Sequence, residues 1–156
     1  MAEVKSYSIE STPYGVVLNV ELGDVSDLSE TVMKVTMAAA HLAGRDGVRI
    51  RILDSRDDTL REVYHRLHFT VQQAIATGSF EDLERQSQQS AREAGLTEAR
   101  IVVDSEYVYV SMSHGASQLY QVVPRRPYEA GAVTGSTSAA RSDSRSFAAS
   151  GGVRIW

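Results

Sequence analysis

The chain has 156 residues, 42% of them apolar and 23% charged, enough for one domain with a sizeable core and an appendage. It contains no cysteine, which excludes a disulfide framework and any thiolate metal site, and no apolar run approaches the length of a bilayer span. The formal charge of −4 is unevenly placed: residues 1–124 hold eleven basic and eighteen acidic side chains, whereas residues 125–156 hold five arginines against two acids.

Residues 1–10 alternate polar and apolar side chains and lack the continuous apolar stretch of a secretion signal, so a cytoplasmic protein, or one inside an assembled particle, is expected. Lys5–Ile9 and Val16–Leu22 both alternate, and Thr12-Pro13-Tyr14-Gly15 stands between them. Proline presets the turn and glycine supplies a positive φ, which predicts a β-hairpin. Val16, Leu18, Val20 and Leu22 then fall on one face.

Asp27 with Glu30 three residues on resembles a capping box with Asp in place of Ser or Thr. Leu28, Val32, Val35, Ala39 and Leu42 follow at helical spacing, and Gly44 and Gly47 are the expected stop. Val48–Leu53 reads as a strand whose arginines face away from the core. Asp57 or Asp58 should cap a second helix carrying the stripe Leu60, Val63, Tyr64, Leu67, Val71, Ala74 and Ile75, ended by Gly78. A third helix opens at Ser79–Asp82 and closes at Gly95. It is polar almost all round, with only Phe80, Leu83, Ala91 and Ala94 for packing, and so should face solvent or a hydrogen-bonding partner.

Arg100–Val103, Tyr107–Met112 and Gln118–Val123, separated by turns at Asp104–Glu106 and Ser113–Ala116, predict a β-meander. The order β-β-α-β-α-α-β-β-β implies an α+β fold: a mixed, mainly antiparallel sheet with helices on one face. The expected division is an α+β domain over residues 1–127 and a low-complexity arm over 128–156. The arm is rich in Ala, Gly, Ser and Thr until it closes on Val153-Arg154-Ile155-Trp156, which includes the single tryptophan. A Gly/Ser-like tether of that length has a root-mean-square span of roughly 25–30 Å, about the width of a small domain. An apolar tip on such a tether can anchor in a groove of a neighbouring subunit.

Several residue groups could carry chemistry. His65 and His68 share a helix face, with Glu62 one turn earlier, but a zinc site needs three or four placed ligands and the pattern supplies no more. Asp54, Asp57 and Asp58 follow a strand, where acids can hold Mg²⁺, although the same residues serve as turn and cap formers. Asp104 and Glu106 read as turn acids. Ser113 and His114 are adjacent on a strand and so point to opposite faces. Gly44-Arg45-Asp46-Gly47 follows a helix and precedes a strand, the reverse of a phosphate-binding loop.

Tyr107 and Tyr109 alternate on one face of the meander, with Tyr120 on the next strand. An uncovered face of this kind would be a contact surface. The arginines of the arm are too dispersed to form a nucleic-acid footprint. Together these features predict a non-enzymatic structural protein that assembles with itself through sheet surfaces and C-terminal arm exchange, as in a virion or phage component. Its expected partner contacts are Val153, Arg154, Ile155 and Trp156 with Tyr107, Tyr109 and Tyr120, and it needs no metal or cofactor. Two alternatives stand beside it: a small metal-assisted hydrolase using the Asp54–Asp58 loop, and an adaptor that docks its tip on another protein.

Overall fold

The computed structural model describes residues 3–42, 47–126 and the backbone of 153–155. The expected α+β fold is present, with all nine predicted elements in the predicted order and a further short strand near the C-terminus. The strands form two separate sheets rather than one, and the chain divides into two compact units. Residues 1–53 with 127–156 make the first unit, and Asp54–Arg126 the second.

In the first unit, β1 (Val4–Thr12) and β2 (Gly15–Leu22) form the hairpin, with Thr12 opposite Gly15 across Pro13-Tyr14. Gly15 takes φ 117°, and the Thr12 hydroxyl accepts from the Tyr14 N–H at 3.2 Å and donates to the Gly15 carbonyl at 2.8 Å. Helix α1 (Leu28–Ala40) then returns the chain so that β3 (Val48–Leu53) lies parallel to β2. A parallel partner needs such a crossover, and a helix supplies it. The Asp27 carboxylate accepts the Glu30 N–H at 3.0 Å, as the capping signal predicted, while the Glu30 side chain pairs with Lys34.

Leu28, Val32, Val35 and Ala39 of α1 are buried in this unit, as are Leu18, Val20, Leu22, Val48 and Ile50, and Val32 and Val35 line one small cavity with Val20, Leu22 and Ile50. The helix stops at Ala40, short of the predicted Leu42, because its last turn tightens: the His41 N–H bonds Ala38 and the Leu42 N–H bonds Ala39. Gly44, the expected stop, lies outside the described residues. Strand β7 (Val153–Ile155) completes the sheet order β1-β2-β3-β7 by pairing parallel to Val48–Ile50.

In the second unit, α2 (Asp58–Thr77) and α3 (Phe80–Ala94) form a helical hairpin around Gly78, which takes φ 79°. They lie on one face of the antiparallel meander of β4 (Glu98–Val103), β5 (Tyr107–His114) and β6 (Ser117–Pro124). Leu60, Val63, Leu67 and Val71 of α2 meet Val108, Val110, Met112 and Leu119 of the sheet. The polar third helix is not wholly solvated: Leu83, Ser87 and Ala91 form a narrow buried seam at a spacing of four. Gln88 adds a bond from its side-chain amide to the Ala99 carbonyl at 2.8 Å.

Candidate functional site

The Asp54–Asp58 segment gathers three carboxylates within five residues, yet each goes to a different place. Asp54, whose side chain is 3% exposed, is gripped by Arg56 through Nε at 2.8 Å and an Nη nitrogen at 2.7 Å, and it accepts the Tyr120 N–H at 2.8 Å. Ser55 accepts the Gln118 N–H at 3.2 Å, so this segment satisfies two backbone donors of β6. Asp57 caps α2 by accepting the Leu60 N–H at 2.9 Å and holds His114 Nδ1 at 2.7 Å with its other oxygen. Those contacts, the Leu60 N–H first and the His114 ring next, lower its pKa below the ordinary aspartate value. Asp58 is fully exposed and pairs with Arg61 one helical turn on.

The contact between Asp57 and His114 joins residues far apart in sequence. Sequence reasoning weighed each of them with its neighbours and missed the pair; the only signal was that both sit at element ends. His65 and His68 are exposed on α2 and pack with aromatic neighbours, His65 on Phe69 and His68 on Tyr64 and Phe69. Glu62 turns to Arg66 at 3.8 Å. Among the described residues no group of three His, Asp or Glu side chains converges as a metal site would require.

Asp104 organises its own turn: one oxygen accepts the Glu106 and Tyr107 N–H groups at 2.7 Å each, and the other accepts the Tyr109 hydroxyl at 2.8 Å. Burial works against its charge, but those donors and the nearby Arg125 prevail and lower its pKa. Among the described residues Asp104, not Glu106, supplies the side-chain bonds that close this turn. Burial raises the pKa of Tyr107 and Tyr109, with the Tyr109–Asp104 bond adding to the effect at Tyr109. Burial also pushes Tyr64 on α2 up to about 12.

The tyrosine set shares one sheet face, opposite the face that meets α2 and α3. Tyr109 sits across from Val122, and Tyr120 across from Ser111. The Tyr107 and Tyr109 rings are 5.9 Å apart. Tyr109 and Tyr120 are only 5% and 4% exposed and Tyr107 is half-buried, so this face gives a partner little free ring surface.

The exposed apolar surface is concentrated in the first unit, on Tyr7, Ile9, Tyr14, Met33, Met37, Leu42 and Leu53; Phe69 is the example in the second. Of the predicted C-terminal contacts, Val153, Arg154 and Ile155 form β7, with Val153 beside Val48, Arg154 beside Arg49 and Ile155 beside Ile50. Trp156 lies outside the described residues. The place where the C-terminal segment meets a defined structural acceptor is therefore the β3 edge. The chain matches no family model, no curated protein and no solved structure.

Proposed function

We propose that this chain is a non-enzymatic structural subunit that assembles with copies of itself by exchanging its C-terminal strand, in a shell or tube such as a viral or phage particle. The observation that carries this reading is β7. It pairs parallel to Val48–Ile50 at the edge of β3, and residues 127–152 connect it to the end of the second unit at Arg126. Strand addition at a sheet edge uses backbone hydrogen bonds that any copy of β3 offers equally well. The pairing within one chain is therefore also a template for the same pairing between two, which is the basis of domain swapping.

Strand addition also accounts for the composition of the tip. Val153 and Ile155 flank Arg154, the alternation of a strand with one face toward a core. A tethered tip competes for its own edge at an effective concentration on the order of mM. Exchange prevails where other contacts hold copies close together, as they do in a particle. The metal-assisted alternative has less support, because Asp54, Asp57 and Asp58 are committed to three separate partners.

Cysteine cross-linking tests the proposal, since the natural chain has no cysteine to interfere. Arg49→Cys in one copy and Arg154→Cys in a second, differently tagged copy should form a disulfide between copies on oxidation. If the pair forms only when both substitutions lie in one chain, the strand is not exchanged. A tip that leaves β3 for a different protein would favour the adaptor reading.

A further inference from the structure

The sheet of the first unit has two edges, and they are treated differently. On one side β7 covers β3. On the other side β1 is the outermost strand, nine residues long, with every residue after Val4 exposed. An outer strand of that length leaves the backbone N–H and C=O groups of alternate residues open to pairing. Tyr7 and Ile9 on this strand are 69% and 49% exposed. They stand opposite Val20 and Leu18 of β2 and so belong to the face that α1 packs on.

That face is only partly covered. A helix about 10 Å across shields roughly two strands spaced about 4.8 Å apart. Val32 and Val35 of α1 share a small cavity with Val20 and Leu22 of β2 and Ile50 and Ile52 of β3, whereas β1 stays exposed after Val4. The result is an open apolar groove of about 640 Å³ between β1 and the end of α1, lined by Tyr7, Ile9, Leu18, Ala38, Ala39 and Leu42.

We infer that β1 pairs antiparallel with β1 of a second copy about a two-fold axis at Ser8, joining two sheets into one. This rests on the self-assembly reading above and names a second surface for it. A two-fold axis perpendicular to the sheet sets residues of the same face opposite each other. Centred on Ser8, it places Tyr7 opposite Ile9 of the second copy, Ser6 opposite Glu10, and Ser8 opposite Ser8. The aromatic residue meets a β-branched one, a favourable cross-strand pair. Neither charge on the strand meets its like. Moving the axis to Glu10 would set two glutamates face to face, and moving it to Lys5 would do the same with two lysines. Each copy brings its Tyr7 to the rim of the other's groove, extending the apolar surface that α1 leaves open. Such a contact is isologous and closes at two copies, whereas one-way strand exchange propagates. The two together build an extended assembly from one kind of subunit.

The test is full-length Ser8→Cys under mild oxidation, with circular dichroism to verify the fold. Directly opposed residues lie about 4.5–5.5 Å apart between Cα atoms, within disulfide reach. The inference expects a covalent dimer linked through position 8, and a Tyr14→Cys control at the hairpin turn that cross-links at least tenfold more slowly. It also expects the double variant Tyr7→Lys/Ile9→Lys, which sets lysine against lysine, to weaken self-association at least tenfold. A natively folded Ser8→Cys that stays uncoupled, or a double variant that associates as before, overturns it. Position 8 and the C-terminal strand report separately. A Ser8 link without a link between positions 49 and 154 of different copies keeps β1 pairing and removes strand exchange; the reverse result removes β1 pairing.

Discussion

Replacing Ser87 by alanine should make the second unit more stable. Ser87 is 1% exposed in the middle of the α3 seam, and its hydroxyl has no hydrogen-bond partner among the described residues. A buried polar group left unpaired costs about 1–3 kcal/mol of desolvation, most of which the substitution recovers. Alanine also exceeds serine in helix propensity, by roughly 0.5 kcal/mol. The small loss of packing where the oxygen stood offsets part of that gain, leaving about 1 kcal/mol of net stabilisation. For a cooperative unit of this size, that corresponds to a rise in Tm of roughly 4–8 °C. Urea unfolding followed by far-ultraviolet circular dichroism measures it, provided the m-value is unchanged. Leu83→Ala in the same seam, at a side chain with no exposed surface, should move stability the other way by about 2–5 kcal/mol. If Ser87→Ala destabilises the protein by 1 kcal/mol or more, the hydroxyl has a partner and the description of the seam is wrong.

Two other expectations follow from the same geometry. Asp57→Asn should diminish the loss of stability in acid: the depressed pKa of Asp57 contributes stability above the ordinary value of 3.8, and that contribution disappears as pH falls below it. Acid titration of the variant beside the natural chain would show equal acid sensitivity if Asp57 played no part. In alkali, Tyr64 ionises late, so its contribution holds below pH 10 and is lost as pH rises from about 10 through about 12; Tyr64→Phe should remove that component from the alkaline unfolding curve.

What could be read from the sequence was local. The β1–β2 turn was legible because Pro13 and Gly15 each impose a backbone angle, and α2 because its apolar stripe keeps helical period over about four turns. Alternation set Tyr107 and Tyr109 on one face of the meander, whereas the place of Tyr120 on that face follows from the register of β5 with β6. Their burial was not legible, because alternation names a face without naming what covers it. The parallel pairing of β2 with β3 depends on how α1 crosses between them, a non-local property. The division into two units passes between Leu53 and Asp54, where no run of Gly, Pro or Ser marks it. For Asp54 the sequence left both a metal ligand and a turn former open, because a carboxylate after a strand serves either role. Only the positions of Arg56 and the Tyr120 N–H show that it satisfies the meander's outer strand. The composition of the tip set it apart from the arm, but nothing local to Val153–Ile155 pointed to a strand or to β3 as its acceptor.

Strand exchange is decided by the cross-link between Arg49→Cys in one copy and Arg154→Cys in another, mixed at equal concentration, oxidised, and weighed by intact-mass spectrometry. Strand exchange predicts a disulfide-linked species containing one of each copy, which increases with protein concentration and disappears on reduction. An absence of such species across the whole concentration range would contradict it if the doubly substituted chain closed its own disulfide, for the strand would then belong to one chain alone.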